Sequence, residues 1–302
     1  MHKLMKLALA AVALLLVPAA AQAAEITHAM GTTKVPDEPK RIVVLTNEGT
    51  EALLSLDIQP VGAANSWTGD PWYPHIEELV GDAAPVGKES AVNLELVAAL
   101  QPDLILGNKM RHEAIYPHLS AIAPTVFSER LRGDWRENFV LYAEAVGKAE
   151  EGARQLEAFD AHVANVREKL GEKTQERISI VRMMAGQIRI YQKDSFSGFL
   201  LDQIGFRRPP NQDVDEFALR VGKESIPDME GDRLFHFTYE TGDGEGEKAT
   251  REVLGDPLWQ SLDVVKAGKV HAVDDVIWNT AGGILAAHLM LDDIARIYGV
   301  AD

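Results

Sequence analysis

Two kinds of hydrophobic patterning alternate along this chain. Compact apolar runs at residues 42–45, 60–64, 104–107 and 125–127 have the length and β-rich composition of buried strands. The segments between them, 48–56, 74–80, 94–100, 113–121 and 135–146, mix charged with apolar positions and read as helices. Such alternation predicts a parallel sheet with helices on both faces. From about residue 149 to 170 the period is purely helical. Leu156, Phe159, Val163, Val166 and Leu170 form a stripe on one face, with Glu150, Glu151, Glu157, Asp160, Arg167 and Glu168 around the remainder. About 21 residues at roughly 1.5 Å each make a rod near 30 Å long. A rod of that length can lie across the back of two lobes, connect them once and restrict the hinge between them. After it the first style returns, with strands predicted at 178–182, 188–191, 234–237 and 270–273 and helices at 198–204, 247–253, 258–264 and 283–297.

One pattern occurs in both halves. The first copy runs Asn93-Leu94-Glu95-Leu96-Val97-Ala98-Ala99-Leu100-Gln101-Pro102-Asp103-Leu104-Ile105-Leu106, and the second Gly222-Lys223-Glu224-Ser225-Ile226-Pro227-Asp228-Met229-Glu230-Gly231-Asp232-Arg233-Leu234-Phe235. Each places a Glu near a helix start and an Asp at the opening of an apolar strand. Arg41-Ile42-Val43-Val44-Leu45 is likewise echoed by Arg177-Ile178-Ser179-Ile180-Val181. Two similar halves joined once predict a two-lobed protein, and the cleft between lobes is the natural place for a ligand.

The first residues read as a secretory leader: Lys3 and Lys6, an apolar run at 7–17, and Ala21-Gln22-Ala23 as the cleavage site. The run falls short of the roughly 20 residues that cross a bilayer. Cleavage after Ala23 would leave 302 − 23 = 279 residues, enough for two domains. The expected division is a leader at 1–23, a first lobe at 24–147, a linking helix at 148–171 and a second lobe at 172–302. With no cysteine in the chain, disulfides, thiolate metal sites and cysteine nucleophiles are excluded. A lipid anchor on a leader cysteine is excluded by the same reasoning. The expectation is therefore a free periplasmic protein of a Gram-negative cell, not a lipoprotein.

Charge narrows the partners. Without Lys3 and Lys6 the 30 basic residues become 28 against 46 acidic, a net of −18, which argues against nucleic acid and anionic membrane. Basic islands survive within this acidic background. Between Arg177 and Arg208 six basic residues face only Asp194 and Asp202, and between Lys109 and Arg136 five face three acids. Islands in both halves suit an anion held between them; scattered solvated charges are the competing reading.

Signatures of catalysis are missing. The sequence has no G-x-S-x-G elbow and no P-loop. Gly242-Asp243-Gly244-Glu245-Gly246 fails the dinucleotide spacing and reads as an acidic loop. His112-Glu113 and His118 only superficially resemble a zinc motif, because histidines six apart do not share a helical face and Pro117 intervenes.

The ordered markers resemble the class III periplasmic solute-binding proteins of ABC importers, specifically the iron–siderophore branch. They are Arg41-Ile42-Val43-Val44-Leu45, Glu51-Ala52-Leu53-Leu54-Ser55-Leu56, Asn93-Leu94-Glu95 through Pro102-Asp103-Leu104-Ile105-Leu106, Ile122-Ala123-Pro124-Thr125-Val126, Asp194-Ser195-Phe196-Ser197-Gly198, Lys223-Glu224-Ser225 and Asp256-Pro257-Leu258-Trp259. The resemblance implies an α/β fold of two Rossmann-like lobes with central parallel sheets, joined by one long backbone helix, with the ligand cleft between them. It implies no enzymatic activity and no cofactor, iron entering only inside a bound chelate. It also implies that Glu95 and Glu224 pair with arginines of a two-subunit inner-membrane permease, with the receptor acting as a monomer. Stabilisation of a helix N-terminus is the alternative role for these two glutamates.

A ferric siderophore of hydroxamate or carboxylate type presents anionic oxygens on a carbon scaffold, which call for Arg or Lys and aromatic walls. Residues beyond the strand ends that meet this need are Trp67, Lys109, Arg111, Arg182, Tyr191, Tyr239 and Trp278, with Arg130 and Arg132 in reserve. Trp135 and Trp259 are expected to pack their helices. Within the same transporter class, heme and cobalamin are the alternative ligands. From a different class, an exported siderophore-processing hydrolase is the alternative activity.

Overall fold

The computed structural model describes residues 23–301, and the leader assigned to the first residues lies outside the described residues but for Ala23. The chain opens with a hairpin, β1 (Ala23–His28) and β2 (Gly31–Pro36). The first lobe is a six-stranded sheet. Its strands are β3 (Ile42–Val44), β4 (Gly62–Asn65), β5 (Ala84–Lys88), β6 (Ala91–Val92), β7 (Leu104–Asn108) and β8 (Thr125–Ser128), in the order β6-β5-β4-β3-β7-β8. All its pairings are parallel except β5–β6. Every residue of β3, β7 and β8 is buried, as strands covered on both faces require.

The second lobe departs from a purely parallel sheet. Its strands are β9 (Ile178–Met184), β10 (Gln187–Tyr191), β11 (Ala218–Val221), β12 (Arg233–Thr238) and β13 (Val270–Ala272), in the order β11-β10-β9-β12-β13. β12 is parallel to β9 and β13, whereas β10 runs antiparallel to both β9 and β11. The cause is local. Only Ala185 and Gly186 separate β9 from β10, with Gly186 at φ 68°. A two-residue turn closes a hairpin, while a parallel return needs a dozen residues or more. Helix breaks also refine the sequence reading. The stretch after β7 forms the helices Lys109–His112 and Tyr116–Ile122 around a single 3₁₀ turn. The 258–264 segment divides at extended Leu262.

The long helix occupies Ala149–Leu170 and buries Phe159, Val163, Val166 and Leu170. It packs against helix Trp135–Ala145 on one side and helices Phe196–Ile204 and Ile284–Ile297 on the other. One apolar core therefore runs from Val44 and Leu53 through Phe159 to Phe235, Trp278 and Met290.

The duplicated sequence pattern has a structural counterpart. At the start of β7 the Asp103 carboxylate accepts the backbone N–H groups of Lys40 (2.8 Å) and Arg41 (2.9 Å), and the Asp103 N–H donates to the Arg41 carbonyl (2.9 Å). At the start of β12 the Asp232 carboxylate accepts the Arg177 N–H (2.8 Å), and the Asp232 N–H donates to the Arg177 carbonyl (2.8 Å). Each Asp locks its strand to the opening of the adjacent parallel strand.

The C-terminal helix Ile284–Ile297 returns to the first lobe and packs on helix Asn47–Ser55. Glu51, fully buried, accepts the Ala286 N–H at 2.9 Å and pairs with His75 Nε2 at 2.7 Å. A Cβ at Gly283 would meet Glu51 Oε2 at 2.6 Å, so this approach requires glycine. Glu51→Ala should lower stability by about 3 kcal/mol, the scale for removing one partner from a buried polar pair. Urea unfolding monitored by circular dichroism measures the loss, and an unchanged midpoint would reject the anchoring role.

Candidate functional site

A cavity of about 410 Å³ opens between the two sheets. Five strands of the first lobe each deliver side chains from just beyond their C-terminal ends. Glu48 follows β3, Trp67 follows β4, Glu89 follows β5, Met110 and Arg111 follow β7, and Leu131 and Arg132 follow β8. This is where ligands meet open α/β sheets.

The second lobe supplies a different kind of wall. Arg189 lies directly opposite Arg182 across β9–β10 and opposite Arg220 across β10–β11. Three arginines thus stand in one cross-strand row, and all three line the cavity. Like charges directly opposite destabilise a sheet, so this row works against the fold and marks a site for anions. Arg182 is buried and bidentate to Asp275 (2.6 and 2.7 Å), with its guanidinium carbon 4.4 Å from the Tyr239 ring centre. Arg189 donates to the Gln187 side-chain oxygen at 3.3 Å and has no ion pair within 4 Å among the described residues. Arg220 has no ion pair among the described residues. Phe217 carries both Arg132 and Arg189 near its ring, at 5.0 and 5.9 Å. The Tyr191 hydroxyl is buried beside the Arg182 guanidinium.

Two buried carboxyls sit on the first-lobe side. Burial, with the nearby Glu89, holds Glu48 well above the usual carboxylate range. Burial also raises Glu89, against hydrogen bonds from Asn47 and the charge of Arg111. Burial thus shifts both carboxyls towards the neutral form and weakens the negative charge they bring to the cleft.

Of the residues expected at the ligand, Trp67, Arg111, Arg182, Tyr191 and Tyr239 line this cavity. Two do not. Trp278 is fully buried in the core against Phe235, and its Nε1–H donates to Asp293 (3.1 Å). The π-helical turn Val276–Thr280 directs Trp278 inward and leaves Asn279 and Thr280 to the cleft. Lys109 pairs with Glu129 at 2.9 Å and lines an adjoining hollow of about 430 Å³. Trp135 and Trp259 are buried.

Sequence reading passed over Arg189, Phe217 and Arg220. Arg189 was detectable, because it shares strand parity with Tyr191 and so the same face. Phe217 and Arg220 depend on β11, a strand with only four residues and none of them fully buried, so no hydrophobic pattern announced it.

Glu95 and Glu224 lie away from the cavity, both exposed. The cap of helix Leu94–Ala99 is Asn93, whose side chain accepts from the N–H groups of Glu95 and Leu96. The Glu95 carboxylate is left outward. Neither glutamate forms an ion pair among the described residues. No group of three or more His, Asp and Glu side chains among the described residues is set to hold a metal ion.

Residues 42–276 match the model of the family described as periplasmic binding protein. The chain belongs to this family. These are substrate-binding proteins and not enzymes. This binding protein is 50% identical over 282 residues to the probable siderophore-binding lipoprotein YfiY of Bacillus subtilis, covering 90% of the present chain and 87% of the relative. It is 30% identical to the achromobactin-binding periplasmic protein of Dickeya dadantii over 87% and 88% of the two chains. The crystal structure of Staphylococcus aureus SirA complexed with staphyloferrin B superposes with a TM-score of 0.86 at 32% identity, covering 91% and 98%. Two lobes with a long connecting helix are the architecture of this group.

The relatives overturn one expectation. A free protein that is not a lipoprotein does not stand beside a 50%-identical relative named as a lipoprotein. The reason is physical: a lipid tether acts ahead of β1, outside the described residues, and the fold beyond it serves tethered and free proteins alike.

His112, one histidine of the superficial zinc pattern, is buried. Its Nδ1 accepts the Asn108 N–H (3.2 Å) and its Nε2 bonds the Glu89 carbonyl (2.9 Å). Burial pushes its pKa down to about 4. Protonation is free in the unfolded chain near 6.5 but resisted in the fold. The stabilisation is therefore complete above pH 6.5 and lost as pH falls towards about 4. His112→Gln should flatten the dependence of unfolding free energy on pH between 6.5 and 4, and parallel curves for variant and parent would refute this.

Proposed function

We propose that this chain is the receptor of an ABC importer and binds a ferric siderophore in the cleft between its lobes. The carrying observation is the Arg182–Arg189–Arg220 row facing the cavity. An anionic, oxygen-rich chelate supplies the countercharge that the sheet lacks, and Trp67, Phe217, Tyr191 and Tyr239 suit its carbon scaffold. The names of the relatives, which include siderophore- and achromobactin-binding proteins, support the same reading. Iron travels as cargo inside the chelate. Trp67, Arg111, Arg182, Tyr191 and Tyr239 are the proposed contacts carried over from the sequence, joined by Arg132, Arg189, Arg220 and Phe217.

Delivery completes the proposal. Lobes at 24–147 and 172–302, linked through 148–171, present Glu95 and Glu224 as one outward carboxylate each. The receptor, as a monomer, offers these to arginines of a two-subunit permease, a pseudo-symmetric match to a two-fold partner. Such rim ion pairs set orientation and encounter rate more than affinity.

Tryptophan-fluorescence titration against ferric citrate, a ferric hydroxamate, a ferric catecholate, heme and cobalamin tests the ligand. Saturable quenching by an anionic ferric chelate is expected. Arg111→Gln should weaken it at least tenfold, and Tyr191→Phe about two- to tenfold. Response to heme or cobalamin alone would move the substrate, and silence throughout would reject the receptor reading.

The docking assignment has its own test. Replacing both Glu95 and Glu224 by Ala should leave chelate affinity unchanged and reduce uptake in cells. Normal uptake by the double variant would sink that assignment.

A further inference from the structure

One carboxylate of the second lobe meets two arginines of the first at the cleft. Asp194 precedes helix Phe196–Ile204 in the second lobe, within the Asp194-Ser195-Phe196-Ser197-Gly198 stretch. Its Oδ2 meets Arg130 Nη1 at 3.0 Å and Arg132 Nη1 at 3.3 Å, both from the loop after β8 in the first lobe. The side chain is only 17% exposed. Asp194 Oδ1 also lies 3.4 Å from where a Cβ on Gly133 would stand, so the carboxylate packs closely on that loop.

The two arginines are held unequally. Arg130 has a second carboxylate, with bonds of 2.7 and 2.9 Å to Asp134. Arg132 has only the longer, shared bond to Asp194, and its guanidinium rests near the Phe217 ring of the opposite lobe. Its backbone lies at φ 135°, a conformation that non-glycine residues rarely adopt and that persists only when the surroundings hold it. Arg132 is also the member of the trio that lines the cavity.

We propose that Asp194 is an interlobe latch and that Arg132 is its releasable arm. An anionic group entering the cleft takes Arg132 from Asp194 and leaves Arg130 in place. The exchange replaces one carboxylate partner by another, so no charge is left unpaired. The site then responds to the charge of its ligand and not only to its shape, because only an anion can displace Asp194. The exchange step rests on the anionic-chelate reading above, whereas the latch is measurable without any chelate.

The chain has no native cysteine, so Glu113→Cys in the first lobe and Val214→Cys in the second take spin labels without background. Both positions are exposed. Pulsed dipolar spectroscopy without ligand should give a broader, longer distance distribution for Asp194→Asn than for the labelled parent. Arg130→Gln, a second route to the same opening, should do likewise. In isothermal titrations with ferric citrate as probe, Asp194→Asn should bind three- to tenfold more tightly, and Arg132→Gln at least tenfold more weakly. Distributions for Asp194→Asn and Arg130→Gln that superimpose on the parent would overturn the latch. Weaker binding by Asp194→Asn would overturn the exchange and make Asp194 a positioning group for Arg132. Opening in both variants with no chelate bound by any form would uphold the latch and reject the ligand reading.

Discussion

A buried carboxylate at the junction of the lobes holds the start of the C-terminal helix against the first lobe. Glu51 leaves the first lobe to cap the C-terminal helix, and its other oxygen is held by His75. The segment immediately before that helix, Asn279–Gly282, forms one wall of the cavity. The position of this wall follows from a contact made behind the ligand site. The long helix performs the complementary task, because its apolar stripe belongs to the same core as both sheets. A polar group buried this deeply is tolerated only when hydrogen-bonded, and each Glu51 oxygen has a partner.

Each sheet is registered at its opposite end by the Asp103 and Asp232 clamps, which fix the starts of β7 and β12 against their neighbours. With the starts fixed, the C-terminal ends of the strands are left to carry function. The two lobes then use different means. The first lobe places its cleft residues just beyond the C-terminal ends of five parallel strands, whereas the second places arginines within the strands themselves.

The parts of this architecture that the sequence displayed are those with strong periodicity or a local signal. The long helix is legible from Leu156 to Leu170 because one face must be apolar along its whole length. The strands at Ile42, Leu104, Ile178 and Arg233 are legible because burial on both faces leaves continuous apolar runs. The duplicated glutamates and aspartates are legible as spacing. What stayed hidden depended on pairing. The antiparallel course of β10 was available in the short 183–187 gap, but an expectation of parallel sheets obscured it. The arginine row needs the register of β11, and Trp278 is turned inward by a π-helical turn that leaves no mark in composition.

The hairpin of β9 and β10 carries a consequence for how such a receptor can diversify. Arg182 and Arg189 sit on paired strands, so replacing them disturbs a sheet as well as a site. Trp67 and Leu131 sit on loops, where substitutions and insertions cost little stability. Descendants of this chain can therefore retain the second lobe as a constant charge reader and vary the first to accommodate new scaffolds. Adaptation would be recorded asymmetrically, as drift in one half of a molecule built from two similar halves.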